Sequence, residues 1–113
     1  MKNISLRNSQ DFSLVYSNGK RVRTNALSFK FCKNEMLQPR LGQAISVRQC
    51  KLAVHRNKLK RRNREIFKKL QNQFPAIDIV VSLNKIISNT DIAGSYQVLL
   101  EDWKKFNQQV RVF

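Results

Sequence analysis

The sequence predicts an α+β fold: a two-layer sandwich in the order α-β-β-β-α-β-α, with one four-stranded sheet covered by helices. Three observations predict it. Residues 26–33 alternate apolar and polar, the period of a strand with two unlike faces. Residues 53–71 switch to helical spacing. A run of β-branched residues over 77–83 is then followed by a second helical stripe.

Taken in order, Ser9 is placed to cap a helix over 9–17, because its hydroxyl can accept an orphan backbone N–H. Phe12, Val15 and Tyr16 share one face of it at i, i+3 and i+4. Asn18-Gly19 ends the helix, glycine tolerating the left-handed conformation of a helix stop. Arg21–Arg23 opens an edge strand. In the second strand Leu27, Phe29 and Phe31 alternate with Ser28, Lys30 and Cys32. Residues 34–39 read as a turn, and 40–47 as a third strand with Leu41, Ile45 and Val47 on alternate positions. Gly42 within it marks a close approach or a bulge. On the helix over 53–71, Leu52, Leu59, Asn63, Ile66, Phe67 and Leu70 fall on one side, and Pro75 stops continuation. Ile77–Leu83 reads as a central strand. Ser88 or Thr90 caps a last helix with the stripe Ile92, Tyr96, Leu99, Trp103 and Phe106.

A chain of 113 residues supports one domain, expected over 1–113 with an ordered core at about 9–109. Its 42% apolar content suffices for a small core. No stretch approaches the roughly 18 apolar residues that span a bilayer. The first residues lack the apolar middle of a secretory signal, so a cytoplasmic location is expected. Cys32 and Cys50 form no CxxC pair and should be reduced thiols there.

Charge carries the functional information. The net charge is +15, from 22 Lys plus Arg against 7 Asp plus Glu. Such an imbalance repels itself and calls for a polyanionic partner. Ten of the basic residues lie between Arg48 and Lys69, with Glu65 the sole acid in that span. At about 100° per residue, Asn57, Lys60, Arg61, Arg64 and Lys68 cluster within about 100° of arc. Arg56 stands at the border with the apolar side, and Lys58, Arg62 and Lys69 form a second flank. Like charges at i, i+4 weaken a free helix by a few tenths of a kcal/mol per pair. A helix needing only solubility would interleave Glu, so the stripe makes sense if phosphates neutralise it. A plain solvated face and a membrane-surface helix are the weaker alternatives; the apolar side of this helix is needed for the core.

Phe12 and Tyr16 stand one turn apart on the first helix. If that helix packs on the strand bearing Phe29 and Phe31, these rings line a groove where unstacked bases can rest. Such stacking contributes roughly 1–3 kcal/mol per base and tolerates any sequence. Packing in the core is the competing reading of each ring.

Catalytic groups are scarce. His55 sits among cations with no carboxylate nearby in sequence to orient it. Asp11, Asp78, Asp91, Glu101 and Asp102 are scattered, unlike the converging acids of a two-metal nuclease. One His and two separated Cys do not make a structural zinc site.

Pro39-Arg-Leu-Gly42, thirteen further residues, and then Arg56-Asn-Lys-Leu-Lys-Arg-Arg-Asn-Arg-Glu65 resemble the signature of the bacterial ribonuclease P protein component. Ala53, Arg56, Asn57, Lys60, Arg61, Arg64 and Glu65 fit its basic helix position by position. Asp11-Phe12-x-x-Val15-Tyr16-x-x-Gly19 resembles its first helix, and Asp78-Ile-Val-Val81 its following strand. The likeness runs from about residue 7 to 106. Lys58 departs from the usual Arg, keeping charge without the planar fork. Val47-Arg48 stands where many members have Lys-Lys.

The resemblance implies a ribosomal-protein-like fold with a left-handed βαβ crossover through the basic helix, against the usual hand. It implies a ribonucleoprotein endonuclease that removes the 5′ leader of precursor tRNA. The catalyst is then the RNA subunit, which holds the required Mg2+; the protein binds no cofactor and supplies no catalytic residue. Arg56, Asn57, Lys58, Lys60, Arg61, Arg64 and Lys68 are expected to face that RNA. Phe12, Tyr16 and Phe29 are expected to line the leader groove, with Arg48 at its edge. The expected partners are the catalytic RNA and precursor tRNA, with no membrane and no obligate protein. A ribosomal-type structural RNA binder, a duplex-DNA regulator and a protein-only nuclease are the rivals.

Overall fold

A computed structural model of the chain describes residues 5–6, 9–84 and 95–110. The elements are α1 (Ser9–Asn18), β1 (Lys20–Arg23), β2 (Leu27–Lys33), β3 (Arg40–Ala44), α2 (Ala53–Leu70), a 3-10 turn at Gln71–Gln73, β4 (Ile77–Leu83) and α3 (Ser95–Val110). This is the expected α+β order. Ser88, Thr90, Asp91 and Ile92, assigned to the start of the last helix, lie outside the described residues.

The four strands form one sheet in the order β1-β2-β4-β3. β2 runs antiparallel to β1 and β4, whereas β3 and β4 are parallel and joined through α2. β4 is central and buried on both faces, as its β-branched composition requires.

The pleat sorts the side chains onto two cores. One face carries Leu27, Phe29, Phe31, Leu41, Ile79 and Val81, which pack with Leu59, Ile66 and Phe67 of α2 and Leu99, Trp103 and Phe106 of α3. The other face carries Val80, against which Val15 and Leu6 pack, with Phe12, Cys32 and Ala44 around them. Helices thus cover the sheet from both sides: α2 and α3 on one, α1 on the other.

Polar anchors fix the ends. Asp102 of α3 is 1% exposed and accepts the Ala26 N–H at 2.9 Å and the Asn25 N–H at 3.3 Å, holding the β1–β2 turn. Arg40 makes a forked pair with Asp78, both contacts at 2.8 Å, and reaches Asp11 of α1 at 3.6 Å. One guanidinium therefore joins β3, β4 and the first turn of α1. That bond to Asp78 raises the Arg40 pKa above its ordinary value. The 34–39 turn is closed by Asn34, whose Oδ1 accepts the Met36 N–H at 3.0 Å and whose Nδ2 donates to Asp78 at 2.7 Å.

Three local expectations are corrected. β3 ends at Ala44, and Val47 is exposed in the turn beyond it. Leu52 is exposed too: it stands in extended conformation just before α2, so a helical wheel does not apply to it. Gly19 has no positive φ. Its N–H closes on the Val15 carbonyl at 2.7 Å, and a Cβ there would overlap that oxygen and lie 3.0 Å from the Phe31 carbonyl. Close approach, rather than a left-handed turn, requires this glycine.

Candidate nucleic-acid interface

The basic face of α2 is set by what the opposite face buries. Leu59, Asn63, Ile66, Phe67 and Leu70 are the buried residues of the helix. Asn57, Arg61, Arg64 and Lys68 consequently stand exposed, and Lys58 and Lys60 are half-buried at the margins. A buried polar chain fixes this rotation. The Trp103 indole N–H donates to Asn63 Oδ1 at 3.0 Å, and Asn63 Nδ2 donates to Gln43 Oε1 at 3.0 Å. Gln43 Nε2 in turn donates to the Lys60 carbonyl at 2.9 Å. α2 is thereby tied to α3 on one side and to β3 on the other.

Arg56 has a structural duty as well as a charge. Its Nη1 donates to the carbonyls of Cys50 at 2.9 Å and Lys51 at 2.7 Å, bracing the loop that enters α2. No hydrogen bond from a side chain caps this helix at Leu52, and its first turn holds no acid. Lys69 of the outer flank donates to the Tyr96 hydroxyl at 2.8 Å, and that bond raises its pKa.

The α1 side of the sheet is organised around two rings. Phe12 rests directly over Gly42, where a Cβ would come within 2.6 Å of its Cζ. Gly42 is therefore the close approach the sequence suggested. Tyr16 is 45% exposed, and Lys30 donates to its backbone carbonyl at 3.0 Å while lying 5.5 Å from the ring centroid. Arg48 is exposed in the turn after β3, which Gln49 fastens to β4 by donating to the Leu83 carbonyl at 2.9 Å.

Phe29 does not belong to this surface. It is fully buried on the opposite face, stacked on Phe106 at 4.3 Å and edge-on to Trp103 at 5.0 Å. Phe31 shares that face and is 5% exposed. The alternation of β2 showed that these rings share a face; α1 covers the other one. Lys30 stands on the α1 side instead, beside Tyr16, a position that the same alternation reveals once α1 is assigned to its side.

Both cysteines are free. Burial pushes both thiols up, with the Asp78 carboxylate adding to the effect at Cys32. Among the described residues no three His, Cys, Asp or Glu side chains converge as a metal site, and Asp11 and Asp78 are engaged by Arg40. These two carboxylates, turned to a guanidinium, do not suit a bound Mg2+. No helix among the described residues is long and apolar enough to cross a membrane.

This arrangement matches known proteins over its length. The family model described as Ribonuclease P matches residues 1–108. The ribonuclease P protein component of a Pseudanabaena species is 35% identical over 109 residues, covering 95% of this chain and 90% of that protein. That of Idiomarina loihiensis is 32% identical over 105 residues, covering 92% and 84%. The RNase P protein from Thermotoga maritima superposes with a TM-score of 0.83 at 29% identity, covering 93% of this chain and 98% of that one. The Staphylococcus aureus RNase P protein gives 0.81 at 26% identity, covering 99% of each. With fold, basic helix and family model in agreement, the chain belongs to the ribonuclease P protein component family.

Proposed function

We propose that this chain is an electrostatic adaptor within ribonuclease P, the endoribonuclease complex to which its family belongs, acting in 5′ maturation of tRNA. The observation that carries the reading is the one-signed outer face of α2, held outward by the buried Trp103–Asn63–Gln43 chain. Asn57, Arg61, Arg64 and Lys68, with Lys58, Lys60 and the free edge of Arg56, bind the phosphates of the RNA subunit. Counterion release drives that association. On the other side of the sheet, Phe12 and Tyr16 take bases of the single-stranded leader, and Arg48 supplies charge near the groove. The RNA subunit performs the cleavage and holds Mg2+; the protein lowers the repulsion between two RNAs. These partners place it in the cytoplasm.

Reconstitution tests this directly. The RNA subunit and precursor tRNA are combined at low magnesium, with and without the protein. Added protein should raise cleavage and tighten substrate binding. No gain in either overturns the proposal, and so does cleavage by the protein with no RNA subunit present.

A further inference from the structure

Several cations that α2 does not carry gather at the far edge of the sheet. β1 is that edge, and it reads Lys-Arg-Val-Arg. The other edge, β3, is tied to α2 through Gln43 and met by Leu6, whose N–H donates to the Leu41 carbonyl at 2.9 Å. Arg21 pairs across the β1–β2 ladder with Lys30. Two like charges stand directly opposite on one face, which destabilises a ladder. Arg21, Arg23 and Lys105 have no acidic partner among the described residues.

Arg21, Arg23 and Thr24 line a cleft of about 370 Å³ together with Lys105, Gln108 and Gln109 of α3; the ladder sets Arg21 and Arg23 on the Lys30 face, so the cleft wraps the free edge of the sheet. Charged residues on an edge strand also discourage pairing with another chain, but that requires no cation from a second element. Here three cations and two amides, all good donors to phosphate oxygens, surround one concavity. Neighbouring residues connect this cleft to the α1 side. Lys30 touches Tyr16, Arg21 is its cross-strand neighbour, and Arg21 also lines the cleft.

We propose that the β1–α3 cleft is a second phosphodiester track, which takes the distal part of the single-stranded leader after it passes Tyr16. This rests on the α1 groove holding the leader. Guanidinium and ammonium groups bind the backbone there, and its extent reads leader length rather than sequence.

The test uses reconstituted holoenzyme and two precursor tRNAs, one with a short leader and one with that leader lengthened by unstructured nucleotides. Unaltered holoenzyme should bind the longer leader more tightly. The double variant Arg21→Ala/Arg23→Ala should lose affinity more on the long leader than on the short. Its salt slope on the long leader should be shallower by about 1.4, two contacts at roughly 0.7 each. Lys105→Ala, on a different element, should show the same length dependence, which damage confined to β1 would not produce. Losses equal on both leaders overturn the proposal. So does weakened assembly with the RNA subunit, which would assign the cleft to the other RNA. Self-association of the double variant at unchanged affinity also overturns it, leaving edge protection as the role. Tyr16→Ala on the short leader separates the two readings. If Tyr16→Ala loses affinity while unaltered holoenzyme gains nothing from the longer leader, the cleft alone fails; if Tyr16→Ala loses nothing on either leader, the groove fails as well.

Discussion

Trp103 donates its indole N–H to the side-chain oxygen of Asn63 at 3.0 Å, deep between α3 and α2. Both residues are fully buried, so neither partner can turn to water instead. Trp103→Phe keeps much of the ring area but leaves the Asn63 oxygen without that donor. An unsatisfied buried acceptor costs about 1–3 kcal/mol. Urea unfolding should show a lower midpoint with little change in slope.

The α2 face should behave as a set of phosphate contacts. Arg61→Ala and Arg64→Ala are expected to weaken assembly with the RNA subunit, each making the salt slope shallower by about 0.7–0.9. Unfolding midpoints of the free protein should stay the same or rise slightly, because a like-charge neighbour is removed. Filter binding over a salt series and melts of the free protein measure the two effects.

Tyr16 and Phe29 should separate cleanly. Tyr16→Ala should weaken leader binding by the roughly 1–3 kcal/mol of one stacked base, while assembly with the RNA subunit persists. Phe29→Ala opens a void between Trp103 and Phe106 and should destabilise the fold by about 3–5 kcal/mol. Equal loss of assembly and leader binding in Tyr16→Ala would show that its ring supports the core.

Arg40 is the cross-brace of the α1 side. Arg40→Ala leaves Asp78, 6% exposed, without its forked partner. Removing one member of a buried pair costs about 3–5 kcal/mol. The loss should also free the first turn of α1 through Asp11, so hydrogen exchange in α1 should rise more than in α2.

The thiols set an alkaline limit. Burial holds the Cys50 and Cys32 pKa values above the ordinary 9.0. As pH rises past that value the unfolded chain releases protons that the folded chain retains. Stability is therefore complete below about pH 9 and falls above it. Denaturant titrations at pH 8 and pH 9.5 should show the decline, and the double variant Cys32→Ala/Cys50→Ala should flatten it.

The order of elements was legible because each strand and helix carries its own period, and the bounds of β4 follow from its β-branched run alone. The stripe on α2 was legible for the same reason. The assignment of β2's faces was not: alternation distinguishes two faces without saying which helix covers either, and Phe29 looks the same from both. Lys30 was not legible either, because a cation on a strand reads as a solvated residue until Tyr16 is placed beside it. The duty of Arg56 at the Cys50 and Lys51 carbonyls depends on a loop path that no pattern encodes.

The separation of α2 into a packed side and a cationic side has a thermodynamic corollary. Added electrolyte screens the mutual repulsion of its arginines and lysines and so firms up the lone polypeptide. The same electrolyte loosens its grip on any polyphosphate. Ionic strength thus pushes folding and complex formation in opposing directions, and the molecule is most fragile alone under the dilute conditions where it would cling to RNA most tenaciously.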